Sequence, residues 1–250
     1  ASILILIDAT LAPSLSRRRK GLPPVPRERH RCRFAKSSIV VAGARSVRIS
    51  TPPTETRRTG ATNRLVEGGG EIAQVYFPHG GIISMVVRLE TGATVEVAMV
   101  GSDDLFGAFA ALDGRISLNT AVIQLSGSAS VLETSGLRAA ADQSAPFRAL
   151  LMRHEQVIFA QALQSAACNA SHTVQARLSR WLLRARDLSG SDTLSFTQEF
   201  LAQMLGTQRN SVSIVANTLQ HAGLIRYHRG HIEITNVMLR RGGIHRRCCR

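Results

Sequence analysis

The segment between Thr207 and Asn217 concentrates side chains that can recognise the edges of nucleic-acid bases. An arginine can donate two hydrogen bonds to O6 and N7 of guanine, and an asparagine can bond both N6 and N7 of adenine. A serine hydroxyl such as that of Ser211 can donate to a phosphate oxygen. The residues that we expect at such an interface are Thr207, Gln208, Arg209, Asn210, Ser211, Ser213, Ile214 and Asn217.

Two short helices are predicted to position these side chains. Thr197 can cap the first helix, and Gly206 can end it in a left-handed conformation. The second helix begins at Thr207 or Gln208. At about 100° per residue, one of its faces is apolar and the opposite face carries recognition side chains, with Arg209 near the edge. The apolar face consists of Val212, Val215, Ala216 and Leu219, and the opposite face of Asn210, Ser213, Ile214 and Asn217.

A short hairpin is predicted directly after these helices, in residues 221–234. Basic residues surround its tip, and we expect Arg226, His228 and Arg229 to contact the DNA backbone. A helix-turn-helix followed by such a wing is a specific combination that favours DNA binding. The alternative is a surface helix in an ordinary helical bundle.

The charge distribution is consistent with a polyanionic partner at the ends of the chain. The sequence has 31 Lys and Arg against 17 Asp and Glu, which gives a net charge of +14. Residues 1–60 carry +10, residues 61–190 carry −1 and residues 191–250 carry +5. Basic segments attract phosphates through counterion release, although a solvated tail is the preferred interpretation of residues 1–60.

The sequence offers little for catalysis, metal binding or membrane insertion. It has no phosphate-binding loop, H-E-x-x-H or G-x-S-x-G motif, so we assign no catalytic residue and expect no enzyme. Cys32, Cys168, Cys248 and Cys249 lack C-x-x-C spacing, so we expect neither a metal site nor a cofactor. Its apolar runs are shorter than the roughly 20 residues of a membrane span, which predicts a cytoplasmic protein without a membrane partner.

Five β-rich runs separated by glycine turns follow Asn63 and predict antiparallel sheet, at residues 74–77, 82–89, 94–100, 120–125 and 128–133. We expect an α+β protein with a basic, poorly defined segment in 1–62 and a jelly-roll-like antiparallel β-roll in 63–143. The roll is followed by a long helix in 144–172, a winged helix-turn-helix in 173–240 and a basic tail in 241–250. Within 1–62, only residues 38–41 and 47–49 have a strand-like pattern.

The long helix has a seam of residues with alternating spacings of four and three. Two interpretations of this seam stay open, namely a coiled-coil contact between two copies of the chain and packing of the helix on the β-roll. The seam consists of Phe147, Leu151, His154, Ile158, Gln161, Ser165, Cys168 and His172.

Over about residues 63–240, the sequence resembles the Crp/Fnr superfamily of bacterial transcription regulators. The most specific matches are TQEFLAQMLG at 197–206, AGLI at 222–225 and ARLSRWLL at 176–183. The β-region of the family is matched by VYFP at 75–78, IIS at 82–84 and VEVAMVG at 95–101. The resemblance implies a cyclic-nucleotide-binding-like sensory roll, a dimerisation helix and a winged helix-turn-helix that acts on promoters. The implied partners are double-stranded DNA, a second copy of the chain and RNA polymerase.

Several positions depart from the family pattern. Arg209 matches the base-contacting arginine of the family, whereas Asn210 and Ile214 stand where well-known members have a glutamate and a second arginine, so we do not expect the familiar operator. Ala108 and Asn119 stand where nucleotide-binding members hold the ribose and the phosphate with Glu and Arg, so we expect no cyclic AMP binding. The ligand-binding residues stay unassigned. A protein-interaction module that keeps the fold without specific DNA binding is the alternative function.

Overall fold

The computed structural model describes residues 64–236, except Asp113, Arg115 and Arg229, and the backbone of three earlier strands. These strands are β1 (Ile5–Leu6), β2 (Val40–Val41) and β3 (Arg45–Ile49). The strand-like patterns predicted at 38–41 and 47–49 overlap β2 and β3 in part. β1 pairs with β2, whereas β3 pairs with a strand of the roll, so a segment to which the sequence assigns no defined fold extends a sheet. The basic tail at 241–250 lies outside the described residues.

Two antiparallel sheets form the β-roll. One has the strand order β4-β8-β6-β7 and the other has the order β3-β9-β5. The five predicted runs are confirmed as strands, and β4 is an additional strand. The strands are β4 (Arg64–Val66), β5 (Gln74–Pro78), β6 (Ile82–Arg88), β7 (Thr94–Val100), β8 (Thr120–Leu125) and β9 (Gly127–Glu133).

Both faces of the four-stranded sheet are covered. Successive side chains of a strand point to opposite faces, so Ile83 and Val100 enter the core of the roll, where they meet Val131 of the other sheet. On the outer face, Ile82 and Met99 belong to the core of the C-terminal domain. The roll and the C-terminal domain therefore share apolar packing across this sheet.

Three helices follow or interrupt the roll: α1 (Ala108–Ala111), α2 (Thr134–Gln143) and α3 (Ala145–Ser171). The Ser144 side chain caps α3 by accepting a hydrogen bond from the Phe147 amide at 3.3 Å. Six of the eight seam positions of α3 are buried within the chain, which supports packing of this seam on the roll. They are Phe147, Leu151, His154, Ile158, Ser165 and Cys168.

The C-terminal domain is built from three helices and a three-stranded sheet. Its order is α4 (Val174–Ser189), β10 (Thr193–Ser195), α5 (Gln198–Leu205), α6 (Arg209–His221), β11 (Ile225–His228) and β12 (His231–Ile234). Trp181 packs edge-on against Phe196, with ring centroids 5.0 Å apart. The predicted winged helix-turn-helix is confirmed. No helix in the described ranges is both long and apolar enough to span a bilayer.

Candidate nucleic-acid interface

The turn between α5 and α6 has the geometry that the sequence predicts. The Thr197 hydroxyl oxygen accepts a hydrogen bond from the Phe200 amide at 3.2 Å and caps α5. Gly206 ends α5 with φ 57° and ψ 48°, a left-handed conformation that favours glycine. The Thr207 amide then bonds the Ala202 carbonyl at 2.9 Å. These bonds set the angle at which α6 leaves α5.

One face of α6 is buried in the domain and the opposite face is exposed. Val212, Ala216 and Leu219 form the buried face, as predicted, and Val215 is half-buried. The helix begins at Arg209, with Gln208 at the cap position. The predicted interface residues that are exposed are Gln208, Arg209, Asn210, Ile214 and Asn217; those that are half-buried are Thr207, Ser211 and Ser213.

Ser213 is held against α5 instead of projecting freely. Its hydroxyl oxygen lies 2.5 Å from Gln198 Oε1 and 3.1 Å from the Arg209 carbonyl oxygen. A serine inside a helix commonly bonds the carbonyl four residues earlier, and Gln198 adds a contact between the two helices. Gln198 is a positioning residue that the sequence analysis missed, because nothing in local periodicity pairs residues 15 positions apart.

The wing is attached to α6 and has a partly neutralised basic edge. The Tyr227 amide donates to Gln220 Oε1 of α6 at 2.8 Å. Arg226 faces Glu233 across the hairpin, with Nη1 and Oε2 3.4 Å apart, and both side chains are largely exposed. An exposed ion pair of this kind is worth at most about 1 kcal/mol, so it leaves Arg226 available to a phosphate. His228 is exposed, whereas Arg229 lies outside the described residues.

Two arginines of α4 connect the helix-turn-helix to its surroundings. The Arg177 guanidinium donates to the Leu205 carbonyl at the end of α5. Arg184 Nη1 lies 2.9 Å from Asp103 Oδ2 in the loop after β7. The position of α5 and α6 therefore depends on α4, and α4 in turn is bonded to the roll.

A buried polar cluster lies between α4 and the four-stranded sheet. Ser84 Oγ of β6 lies 2.6 Å from Glu96 Oε2 of β7 and 2.5 Å from Gln124 Oε1 of β8. Burial raises the pKa of Glu96 to about 8, although the hydrogen bond with Ser84 and the charges of Arg180 and Arg184 oppose this rise. The carboxyl group is consequently neutral in mildly acidic solution.

A second buried polar contact holds α3 on the roll. His154 Nε2 bonds the Asp104 carboxylate, which also accepts a hydrogen bond from the Leu105 amide at 3.0 Å. Burial lowers the pKa of His154, but the hydrogen bonds with Asp104 and Glu155 outweigh it and raise the pKa to about 9. The imidazole is therefore charged at neutral pH and paired with a carboxylate.

A small pocket opens in the roll between β4, β5 and the loop that joins them. Its volume is about 120 Å³, below the roughly 300–1,000 Å³ of typical small-molecule sites. Glu71 is the charged residue that lines it, and a carboxylate repels a phosphate. Ala108 is buried and Asn119 is half-buried, and neither side chain carries a charge. Across residues 64–236 where described, no group of three or more His, Cys, Asp or Glu is placed to hold a metal ion.

Comparisons with known proteins agree with this architecture. Residues 176–238 match the family described as the Crp-like helix-turn-helix domain. FixK2 from Bradyrhizobium japonicum is 17% identical with a TM-score of 0.65 over 81% of this chain and 96% of FixK2. TTHB099, a CRP-family transcriptional regulator from Thermus thermophilus, is 22% identical with a TM-score of 0.59 over 71% of this chain and 91% of its own. No curated protein matches the sequence.

The c-di-GMP-responsive global regulator CLP from Xanthomonas campestris also shares the fold, with 14% identity and a TM-score of 0.59 over 78% of this chain and 95% of CLP. At these identities, the solved structures define the fold. The class is a two-domain protein in which an antiparallel roll and a long helix precede a winged helix-turn-helix. This is the architecture of Crp/Fnr-type regulators, and the resemblance to that superfamily is confirmed.

Proposed function

We propose that this chain is a homodimeric, sequence-specific transcription regulator that inserts α6 into the major groove of promoter DNA without requiring cyclic AMP. The observation that carries the proposal is the exposed surface of α6, where Asn210 and Asn217 lie opposite the buried face and Arg209 is exposed near its edge. Arginine and asparagine are suited to guanine and adenine edges respectively. The DNA backbone is contacted from two places. The start of the helix contributes Thr207, Gln208 and Ser211, and the wing contributes Arg226, His228 and Arg229.

The dimer is proposed to form through a second seam on α3, distinct from the buried one. Met152, Phe159 and Leu163 are 54%, 63% and 56% exposed, although they are large and apolar. Together with Gln156, Ala166 and Ala170 they repeat at spacings of four and three, which is the pattern of a coiled-coil contact. This seam extends about 27 Å along the helix, since each residue rises about 1.5 Å. A second copy of the chain would cover it.

In this proposal, residues 63–143 are the sensory roll, residues 144–172 the dimerisation helix and residues 173–240 the DNA-reading domain. A two-fold dimer contacts two half-sites about one helical turn of DNA apart. A signal that acts on the roll shifts the two helix-turn-helix units through α3 and α4. The regulator works in the cytoplasm with RNA polymerase as a partner, and it performs no catalysis itself.

Independence from cyclic AMP is supported by the roll itself. Ala108 offers no acceptor for a ribose hydroxyl, and Asn119 offers no positive charge for a phosphate. We expect isothermal titration calorimetry with cyclic AMP at physiological concentration to give no binding heat. A saturable heat signal would show that the nucleotide is bound by other residues and that this part of the proposal is wrong.

Selection of bound sequences from a random duplex pool at physiological salt tests the central claim. Wild type should recover a two-fold symmetric motif that is lost or relaxed in Arg209→Ala. Arg148→Ala is the matched control, because it removes the same charge from a surface ion pair of α3 with Asp142. We expect this control to recover the wild-type motif.

The alternative function is a protein-interaction module that retains the fold. It predicts weak DNA binding that recovers no motif and changes little with salt, because few phosphates are contacted. A regulator predicts affinity that falls steeply as salt rises, since each phosphate contact releases a counterion. A salt titration with the selected duplex separates the two functions.

A further inference from the structure

Ile214 occupies an unusual position for a large apolar side chain. Among the described residues of 173–236, Ile214 is the only large hydrophobic residue that is exposed, and 67% of its surface is accessible. The buried face of α6 is centred on Val212, Ala216 and Leu219. At about 100° per residue, Ile214 lies roughly 190° around the helix from that centre. It therefore points directly away from the domain, on the face that also carries Asn210 and Asn217.

The chemistry of the side chain restricts what it can contact in a major groove. Isoleucine neither donates nor accepts hydrogen bonds, so against most base edges it would cover polar groups without bonding them, which is unfavourable. Thymine is the exception, because its C5 methyl group is an apolar surface in the major groove. A β-branched side chain in a helix has one strongly preferred rotamer, so little conformational freedom is lost when Ile214 makes this contact.

We propose that Ile214 contacts the C5 methyl group of a thymine and thereby requires an A·T pair at one position in each half-site. The inference rests on the proposed function, because it needs α6 to lie in the major groove. Asn210, one turn earlier on the same face, is suited to adenine and reads a neighbouring pair. Ile214 is thus a specificity-determining residue on an exposed face that is otherwise polar.

The test replaces single thymines of the selected duplex with deoxyuridine, which removes the methyl group and leaves the hydrogen-bonding groups unchanged. At one symmetric position, wild-type affinity should fall about fourfold when one half-site is changed, the effect expected for one buried methyl group. Changing both half-sites should cost about an order of magnitude. Fluorescence anisotropy titrations with each duplex give the ratios.

Variants of the protein assign the effect to one side chain. Ile214→Ala should bind thymine and uracil duplexes with equal affinity, and Ile214→Val should retain part of the discrimination. Asn217→Ala, which changes a polar neighbour on the same face, should bind more weakly but retain the full thymine-to-uracil ratio. Ile214 is exposed, so urea unfolding of Ile214→Ala should match wild type and show that the variant is folded.

The possible results distinguish this inference from the function on which it rests. If wild type recovers no motif, both are wrong. If a motif is recovered but no thymine can be distinguished from uracil, the regulator stands and the inference is wrong. If Ile214→Ala retains the wild-type ratio, another residue reads the methyl group and the inference is equally wrong.

Discussion

The Glu96 carboxyl oxygen Oε2 lies 2.6 Å from the hydroxyl oxygen of Ser84, which itself lies 2.5 Å from Gln124 Oε1. A hydroxyl has one proton and can donate to only one of these oxygens. The Ser84 hydroxyl therefore donates to either Glu96 or Gln124, and burial of the cluster favours the neutral form of the Glu96 carboxyl group. Side chains of three strands therefore meet at one buried hydroxyl group where the sheet contacts α4.

This arrangement predicts that stability falls as pH rises. The pKa of Glu96 is about 8 in the folded protein against 4.5 as the ordinary value, so between these pH values the folded state binds more protons than the unfolded state. The free energy of unfolding should decrease by up to about 1.4 kcal/mol per pH unit in that window. Urea unfolding at about pH 5.0, 5.8 and 6.5 measures the slope.

Glu96→Gln is the control for this prediction. Glutamine does not titrate and can donate from its amide to Ser84, so the slope between about pH 5.0 and 6.5 should largely disappear. A slope that is unchanged in the variant would show that another group carries the proton. His154 adds little to this slope, because the stability that it contributes is lost mainly above its ordinary pKa of 6.5.

The His154 contact gives a separate prediction at higher pH. Its pKa is raised from 6.5 to about 9, so the stability it contributes is present below pH 6.5 and is lost as pH rises through 9. NMR titration of the imidazole should show a midpoint near 9 in wild type and a clearly lower one in Asp104→Asn, which removes the paired charge. A midpoint near 6.5 in wild type would contradict the buried ion pair.

The exposed seam of α3 predicts how the oligomer can be broken. Phe159→Glu places a charge in the middle of the proposed helix contact, so sedimentation velocity at micromolar protein should show a monomer where wild type shows a dimer. Leu118→Glu is the matched control, because Leu118 is 81% exposed on the roll and lies outside the seam. The control should remain dimeric. Wild type that sediments as a monomer with and without DNA would contradict the dimer.

Two neighbouring serines of α6 are predicted to have different roles. Ser213→Ala removes the contact with Gln198 and should lower the free energy of unfolding by about 1 kcal/mol. Ser211→Ala should change unfolding little and weaken DNA binding through a lost phosphate contact. Urea unfolding and duplex titration of both variants test this division. If Gln198→Ala lowers stability as much as Ser213→Ala, and the double variant no more than either, the two side chains act as a pair.

The sequence predicted what is local and missed what is distant. The cap at Thr197, the left-handed Gly206 and the two faces of α6 follow from residues a few positions apart, where periodicity and turn chemistry decide the structure. Periodicity also found the seam at Leu151 and Ile158 on α3, but it could not say whether the roll or a second copy covers it. The cluster of Glu96, Ser84 and Gln124 joins residues up to 40 positions apart, and only the sheet register brings them together.

Gly206 combines a local requirement with a distant one, and substitution can separate the two. Its φ of 57° disfavours any residue with a Cβ atom, and a Cβ there would lie 2.7 Å from Val95 Cγ2 of the roll. Gly190 ends α4 with φ 69° and has open space around it. Gly190→Ala should therefore cost about 1 kcal/mol from the backbone alone, while Gly206→Ala should cost measurably more.

A second substitution can remove the contact between a Cβ atom at position 206 and Val95. In a Val95→Ala background, Cγ2 is absent, so Gly206→Ala should cost no more than Gly190→Ala in urea unfolding. A cost of Gly206→Ala that depends on Val95 would show that the end of α5 is packed against β7 in solution, as it is in the structure. Equal costs for both glycine variants in wild-type background would mean that the helix-turn-helix and the roll do not touch at this point.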